Sequence, residues 1–233
     1  MISPETNQKG EAMPGPDATA RKILVSDFDG TMTRRDFFQL VNENLLPPGM
    51  PDYWGRYLAG EITHFEALQA IFGSVTAGEA ALTGLVARMG LEPNLKAEIE
   101  ALRSSGWAVI VASAGCDWYI RKLLVEADVS IEAHSNPGWI EDDRLVMKLP
   151  TGSDYFSSET GIDKVGVVFK AMARASTVAF VGDGLPDLAP ALIVPSALRF
   201  ARGVLAEELT RMGESFHPFN HWSDVAQALI ALG

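Results

Sequence analysis

Lys22-Ile23-Leu24-Val25-Ser26-Asp27-Phe28-Asp29-Gly30-Thr31 decides the fold of this chain. Ile23, Leu24 and Val25 form a short apolar run that ends in an acidic, glycine-containing turn. That is the pattern of a strand buried on both faces of a parallel sheet. The pattern recurs at Trp107–Ala112 and Thr177–Val181, and Ala197–Phe200 is a fourth candidate strand. Helical patterns near 93–105 and 163–174 precede the second and third runs. Strands alternating with helices predict an α/β fold, a Rossmann-like three-layer core with a mainly parallel sheet.

The interval between the first two strands is far longer than an ordinary crossover. Within it, Phe65, Leu68 and Phe72 fall on one side of a helix over 64–72. Pro47, Pro48 and Pro51 interrupt the pattern before that helix, and Gly73 and Gly90 punctuate it afterwards. Residues 34–90 are therefore expected to form a small inserted α-helical cap, with 21–33 and 91–233 as the core. Residues 1–20 read as a flexible N-terminal tail without chemistry. Alternation over 129–148 predicts two or three further short strands.

Hydrophobic residues make up 47% of the 233, enough for a real core. Nineteen basic against 30 acidic residues leave a net charge of −11. Such a surface suits neither nucleic acid nor an anionic membrane. The single cysteine, Cys116, excludes an internal disulfide framework and suggests a reducing compartment. No apolar run reaches the ~20 residues of a membrane span, and the N-terminus lacks a signal peptide's basic start and apolar stretch. A cytoplasmic location is expected; the oligomeric state is not legible.

In open α/β sheets, ligands bind at the carboxyl ends of the strands. The distinctive polar residues gather there: Asp27, Asp29 and Thr31 after the first strand, Ser113-Ala114-Gly115 after the second, Asp183 and Asp187 after the third. Lys164 opens the helix that leads into the third strand. Singly, each is an ordinary turn, cap or surface residue. Together they describe four carboxylates that should repel unless a hard divalent cation such as Mg2+ joins them. The cation and Lys164 would let an acidic protein hold a phosphate dianion. Ser113 supplies a hydroxyl, and backbone N–H groups near Gly115, at a helix N-terminus, supply further donors.

These motifs resemble those of the haloacid dehalogenase-like phosphatase superfamily, at Asp27–Thr33, Val109–Gly115, Lys164 and Gly182–Asp187. The insertion resembles the helical cap of the phosphoserine phosphatase-like branch. The resemblance implies an Mg2+-dependent phosphoric monoester hydrolase acting on a small phosphorylated metabolite. Asp27 would be the nucleophile and Asp29 the general acid and then base. Ser113, Ala114 and Lys164 would bind the phosphate. The Asp27 carboxylate, the Asp29 backbone carbonyl and Asp183 would hold the metal, with Asp187 behind them or acting through water. Phosphoryl transfer to another acceptor, as in a mutase, and a non-catalytic phosphate-binding role are the competing expectations.

Substrate cues are fewer. Phosphoserine phosphatases carry Glu nine positions after the nucleophile, where this chain has Asp36, and often Asn where it has Pro186. Asp36, Ser113-Ala114-Gly115-Cys116-Asp117 and Ser135-Asn136-Pro137 resemble the group that includes 2-hydroxy-3-keto-5-methylthiopentenyl-1-phosphate phosphatases, with phosphocholine phosphatases also similar. Phosphoserine is the alternative substrate. In the cap, Arg56 is a candidate for a substrate carboxylate, Tyr53, Trp54 and Tyr57 are read as cap core or as walls of an apolar pocket, and His64 is read as the start of a helix. Trp118 and Tyr119 either face the cap or pack on the sheet.

Overall fold

A computed structural model describes residues 21–232; the expected tail over 1–20 lies outside the described residues. The described chain enters on β1 (Lys22–Ser26), and four helices follow: α1 (Phe37–Asn44), α2 (Tyr53–Leu58), α3 (His64–Gly73) and α4 (Gly78–Val86). Helix α5 (Leu95–Ser104) leads into β2 (Trp107–Cys116), and α6 (Asp117–Glu126) into β3 (Glu132–Asn136). Two antiparallel hairpins come next, β4 (Gly138–Glu141) with β5 (Arg144–Met147) and β6 (Phe156–Ser157) with β7 (Gly161–Ile162). Then come α7 (Lys164–Arg174), β8 (Thr177–Gly182), α8 (Leu188–Ile193), β9 (Arg199–Ala201), α9 (Gly203–Met212), β10 (His217–Pro218) and α10 (Trp222–Ala231).

Six strands form one parallel sheet in the order β10-β9-β8-β1-β2-β3. The period-2 alternation of a strand divides its side chains between two faces. Leu24, Val109, Val111, Ala179 and Val181 belong to one core, with Ile99 of α5, Ile120 of α6 and Trp222 of α10. Ile23, Val25, Ile110, Val178 and Phe180 belong to the other, with Val167 of α7, Ala191 of α8 and Leu205 of α9. This is the expected three-layer α/β architecture. Strand β1 pairs in step with both neighbours, Ser26 lying opposite Val111 and Val181, so the catalytic candidates emerge level at one edge of the sheet.

Two local expectations need correction. Strand β2 runs on to Cys116, so Ser113-Ala114-Gly115 lies within extended chain and α6 starts only at Asp117. The pairing register with β3 shifts between Ala112 and Cys116, which marks a bulge in this stretch. The fourth strand begins at Arg199, because Ser196–Leu198 forms a 3-10 turn after Pro195.

The four-helix segment leaves and returns at one place. Thr33 bridges Leu91, and the Arg34 N–H donates to the Met89 carbonyl at 3.0 Å. Helix α3 has a capping box, with Thr63 Oγ1 accepting from Glu66 N (3.1 Å) and Thr63 N donating to Glu66 Oε2 (2.8 Å). The core grips this helix at two points. Gln69 Nε2 donates to the Met147 carbonyl at 2.8 Å, and Phe65 N donates to the Glu159 carbonyl at 2.9 Å. No helix among the described residues is long and apolar enough to cross a membrane.

Candidate active site

A cavity of about 400 Å³ lies between the carboxyl edge of the sheet and helices α1–α3. Its floor contains Asp27, Asp29, Ser113, Ala114, Lys164, Asp183 and Asp187. Phe38, Trp54, Tyr57, Leu68 and Phe72 contribute apolar walls.

Asp27 and Lys164 are both buried, and Lys164 Nζ lies 2.8 Å from Asp27 Oδ1 and 2.6 Å from Asp187 Oδ1. Burial favours the neutral amine, but the Asp187 and Asp27 carboxylates outweigh it and hold the lysine above its usual range. Burial and the Asp187 charge push Asp27 well up, against the opposing pull of Lys164. Burial, then Asp187, pushes Asp183 up to about 7. One ammonium is therefore too little positive charge for this floor.

Asp27, Asp183 and Asp187 each offer a carboxylate oxygen, all within 4.8 Å of one another. An all-oxygen, electron-rich donor set of this kind fits a hard divalent cation. Asp183 is oriented by Thr31, whose hydroxyl donates to its Oδ1 at 2.8 Å. Asp187, expected behind the ligands or acting through water, has a carboxylate oxygen within the same cluster. Its oxygens already accept from Lys164, from Asp183 N (3.1 Å) and from Gly184 N (3.0 Å), which suits a carboxylate that orients its neighbours. The Asp29 carboxylate is not in the cluster.

Asp29 is instead held by Tyr119, whose hydroxyl donates to Oδ2 at 2.8 Å, and by Phe37 N, which donates to Oδ1 at 3.1 Å. Burial pushes its pKa up to about 6, against those hydrogen bonds. Ser113 Oγ approaches Asp29 Oδ2 at 3.5 Å and accepts from Gly115 N at 3.0 Å. Gly115 N is thus not a free donor, which corrects the expectation of a helix N-terminus there. The Ala114 carbonyl accepts from Asn136 Nδ2 at 2.8 Å.

Close packing explains two glycines. Gly30 has φ +65°, and a Cβ there would lie 2.2 Å from Asp183 Oδ2. A Cβ on Gly115 would lie 2.0 Å from the Tyr119 hydroxyl and 2.6 Å from Asp29 Oδ2. Arg202 secures the loop after β1: its Nε donates to the Gly30 carbonyl at 2.6 Å and its Nη2 to the Thr33 carbonyl at 2.7 Å.

The structure brings Asp36 to the cavity and keeps Arg56 away from it. Burial, and then Asp183 and Asp29, push Asp36 well above the usual carboxylate range. Arg56 pairs with Glu61 at 3.0 Å on the exposed side of α2. The geometry is helical: Trp54, Tyr57 and Leu58 share the inner face, and position 56 falls opposite. Sequence reasoning undervalued Tyr119 and His64 and did not single out Arg202. The ring of Tyr119 packs 4.5 Å from that of Phe37 in α1, and its hydroxyl reaches Asp29, a contact the sequence did not suggest. Cys116 is buried and its thiol is pushed up to about 12, chiefly by that burial, so it acts as a packing residue.

No family model matches the chain. It is 22% identical over 218 residues to a 2-hydroxy-3-keto-5-methylthiopentenyl-1-phosphate phosphatase of Bacillus velezensis, covering 92% of each chain. To the protein of that name from Brevibacillus brevis it is 21% identical, over 89% of this chain and 94% of the relative. Among solved structures, a HAD family hydrolase from Salmonella enterica serovar Typhi aligns with TM-score 0.66 at 20% identity, over 91% of this chain and 71% of that one. A phospho-aspartyl intermediate analogue of phosphoserine phosphatase aligns with TM-score 0.62 at 15% identity, over 89% and 98%.

Proposed function

We propose, for a chain whose relatives and fold make it a phosphatase of the haloacid dehalogenase-like type, that it hydrolyses a small-molecule phosphate monoester through an aspartyl-phosphate on Asp27, with Mg2+. The carrying observation is the pairing of buried Asp27 with Lys164 on a cavity floor that also holds Asp29 and Ser113.

Asp27 attacks phosphorus; the bond to its carboxylate oxygen forms as the ester P–O bond breaks. Asp29, protonated at the outset, gives its proton to the departing alcohol oxygen. It then takes a proton from the water that attacks the aspartyl-phosphate, releasing inorganic phosphate and restoring both carboxyl groups. A carboxyl whose pKa is pushed up to about 6 can serve in both roles near neutral pH. Lys164 and the Ser113 hydroxyl offset charge on the phosphoryl oxygens. Asp27, Asp183 and the Asp29 backbone carbonyl would hold the cation, oriented by Asp187. When bound, it neutralises the clustered carboxylates and polarises the phosphoryl group.

Residues 34–90 serve as the cap and 21–33 with 91–233 as the core, in a cytoplasmic enzyme. The two named relatives, each aligned over about nine-tenths of its length, support 2-hydroxy-3-keto-5-methylthiopentenyl-1-phosphate or a similar ester as the substrate. A phosphocholine-like ester is the other member of this reading.

The test is phosphate release from a broad panel of esters with and without Mg2+. Release is expected only with the metal, and Asp27→Asn should abolish turnover while keeping the fold. Absence of release from every ester in the presence of Mg2+ would defeat the reading.

A further inference from the structure

His64 begins α3 and lines the cavity, yet it is only 6% exposed and its Nδ1 has no hydrogen-bond partner. Buried polar atoms are normally paired, so an orphan on a residue that lines a ligand cavity calls for an explanation. The ring is held firmly. Trp54 and Tyr57 meet it edge to face at centroid distances of 5.5 and 5.2 Å. The backbone N–H groups of His64 and Phe65 are tied to Glu159, in the hairpin that leads to Lys164. The core segment carrying the phosphate-binding lysine thus sets the position of His64. Burial, and then Lys164, pushes the imidazole down to about 4, so near neutral pH it is an uncharged hydrogen-bonding group.

The rest of the cavity adds a second constraint. Among the described residues lining it, Lys164 is the one Lys or Arg, and it is already committed to Asp27 and Asp187. Arg56, the residue that could have met a carboxylate, points away and pairs with Glu61. Asp36 adds a buried carboxyl group to the lining, with no ion-pair partner among the described residues. A leaving group bearing a carboxylate would meet apolar walls, carboxyl groups and uncharged polar side chains, with no free cation to receive it.

We propose that His64 is a specificity-determining residue, hydrogen bonding an oxygen on the alcohol part of the ester within a pocket that excludes carboxylates. This deepens the proposed phosphatase reading and rests on it. The substrate class is a phosphate monoester whose alcohol part is non-anionic, partly apolar, and carries a hydroxyl or carbonyl oxygen.

The test compares matched esters on the Mg2+-loaded protein: glycerol 1-phosphate against propyl phosphate, and phosphoethanolamine against phosphoserine. The wild type is expected to favour the first member of each pair in kcat/KM by about tenfold or more. His64→Phe should erase the first preference by lowering kcat/KM for glycerol 1-phosphate while leaving propyl phosphate within about twofold. No preference in the wild type, or an equal loss on both esters in the variant, overturns the proposal. Equal or better use of phosphoserine overturns the exclusion of carboxylates.

A second measurement avoids both turnover and the folding of the His64 variant. In Asp27→Asn, the His64 ring-nitrogen resonances should shift on titration with glycerol 1-phosphate and stay put with propyl phosphate; identical responses overturn the proposal. If the wild type releases no phosphate from any ester, the phosphatase reading fails, while this resonance still decides whether His64 senses the ligand.

Discussion

The Tyr119 hydroxyl donates a 2.8 Å hydrogen bond to Asp29 Oδ2, joining α6 to the acidic turn after β1. That bond lowers the pKa of a carboxyl that burial otherwise raises to about 6. In Tyr119→Phe the carboxyl should titrate higher. The alkaline limb of the pH–rate profile, where Asp29 loses the proton it gives to the departing alcohol, is then expected to move to higher pH. An unchanged profile would show that the hydroxyl serves packing alone.

Gly115→Ala should be as damaging as a change to a catalytic group, although it adds one methyl. The new Cβ would lie 2.0 Å from the Tyr119 hydroxyl and 2.6 Å from Asp29 Oδ2, so one of them must move. We expect a loss of about 100-fold in kcat from misplacement of Asp29 by roughly an ångström. Circular dichroism should remain native; wild-type turnover would contradict the packing described.

Lys164→Met should destabilise the metal-free protein. It leaves Asp27 and Asp187 buried without their shared cation, a loss of about 3–5 kcal/mol by the usual cost of orphaning a buried charge. Thermal melts with Mg2+ should recover part of that loss, and Mg2+ should also raise the Tm of the wild type, since ligand binding stabilises the folded state. A wild-type Tm indifferent to Mg2+ would count against the Asp27–Asp183–Asp187 cluster as a cation site.

Arg56→Ala should leave kcat/KM within about twofold and stability within about 0.5 kcal/mol. The ion pair with Glu61 is exposed and lies outside the cavity, and such pairs contribute little. A large rise in KM would return Arg56 to the substrate.

His64 predicts a pH signature in stability. Its folded pKa, pushed down to about 4, lies below the unfolded value, so between the two the unfolded chain binds the additional proton. Its contribution is present above about pH 6.5 and is lost as pH falls toward 4, by about 3 kcal/mol in all. Asp29 and Asp183, with raised pKa values, act in the opposite direction. The informative quantity is therefore the difference between wild type and His64→Phe in denaturant melts at pH 7.5 and 5. The wild type should lose more stability than the variant, and equal losses would contradict a buried neutral imidazole.

The architecture was legible because its signals are local. A strand buried on both faces must be apolar along its whole length, and α/β sheets gather polar residues at the strand ends. Ile23–Val25, Val109–Val111 and Val178–Val181 declared the parallel sheet, and the residues following them declared the site. The precise ends were less legible. Nothing in Ser113-Ala114-Gly115-Cys116 distinguishes extended chain from a helix start, and the choice was made by pairing of Cys116 with Asn136 across β2 and β3.

By itself, then, the sequence determined an α/β chain with Asp27, Asp29, Ser113, Lys164, Asp183 and Asp187 at the strand ends, since apolar period and turn chemistry act over a few residues. Tertiary structure decided what those groups touch. It put Tyr119 on Asp29, 90 positions apart in the chain, and Lys164 between Asp27 and Asp187. On one short helix it turned Trp54 and Tyr57 inward and Arg56 out to Glu61, and it buried His64 beside them. Helical periodicity relates those positions to one another, but which face is inward depends on the surface the helix docks against. Only the packing of α1–α3 over the sheet edge supplies that surface.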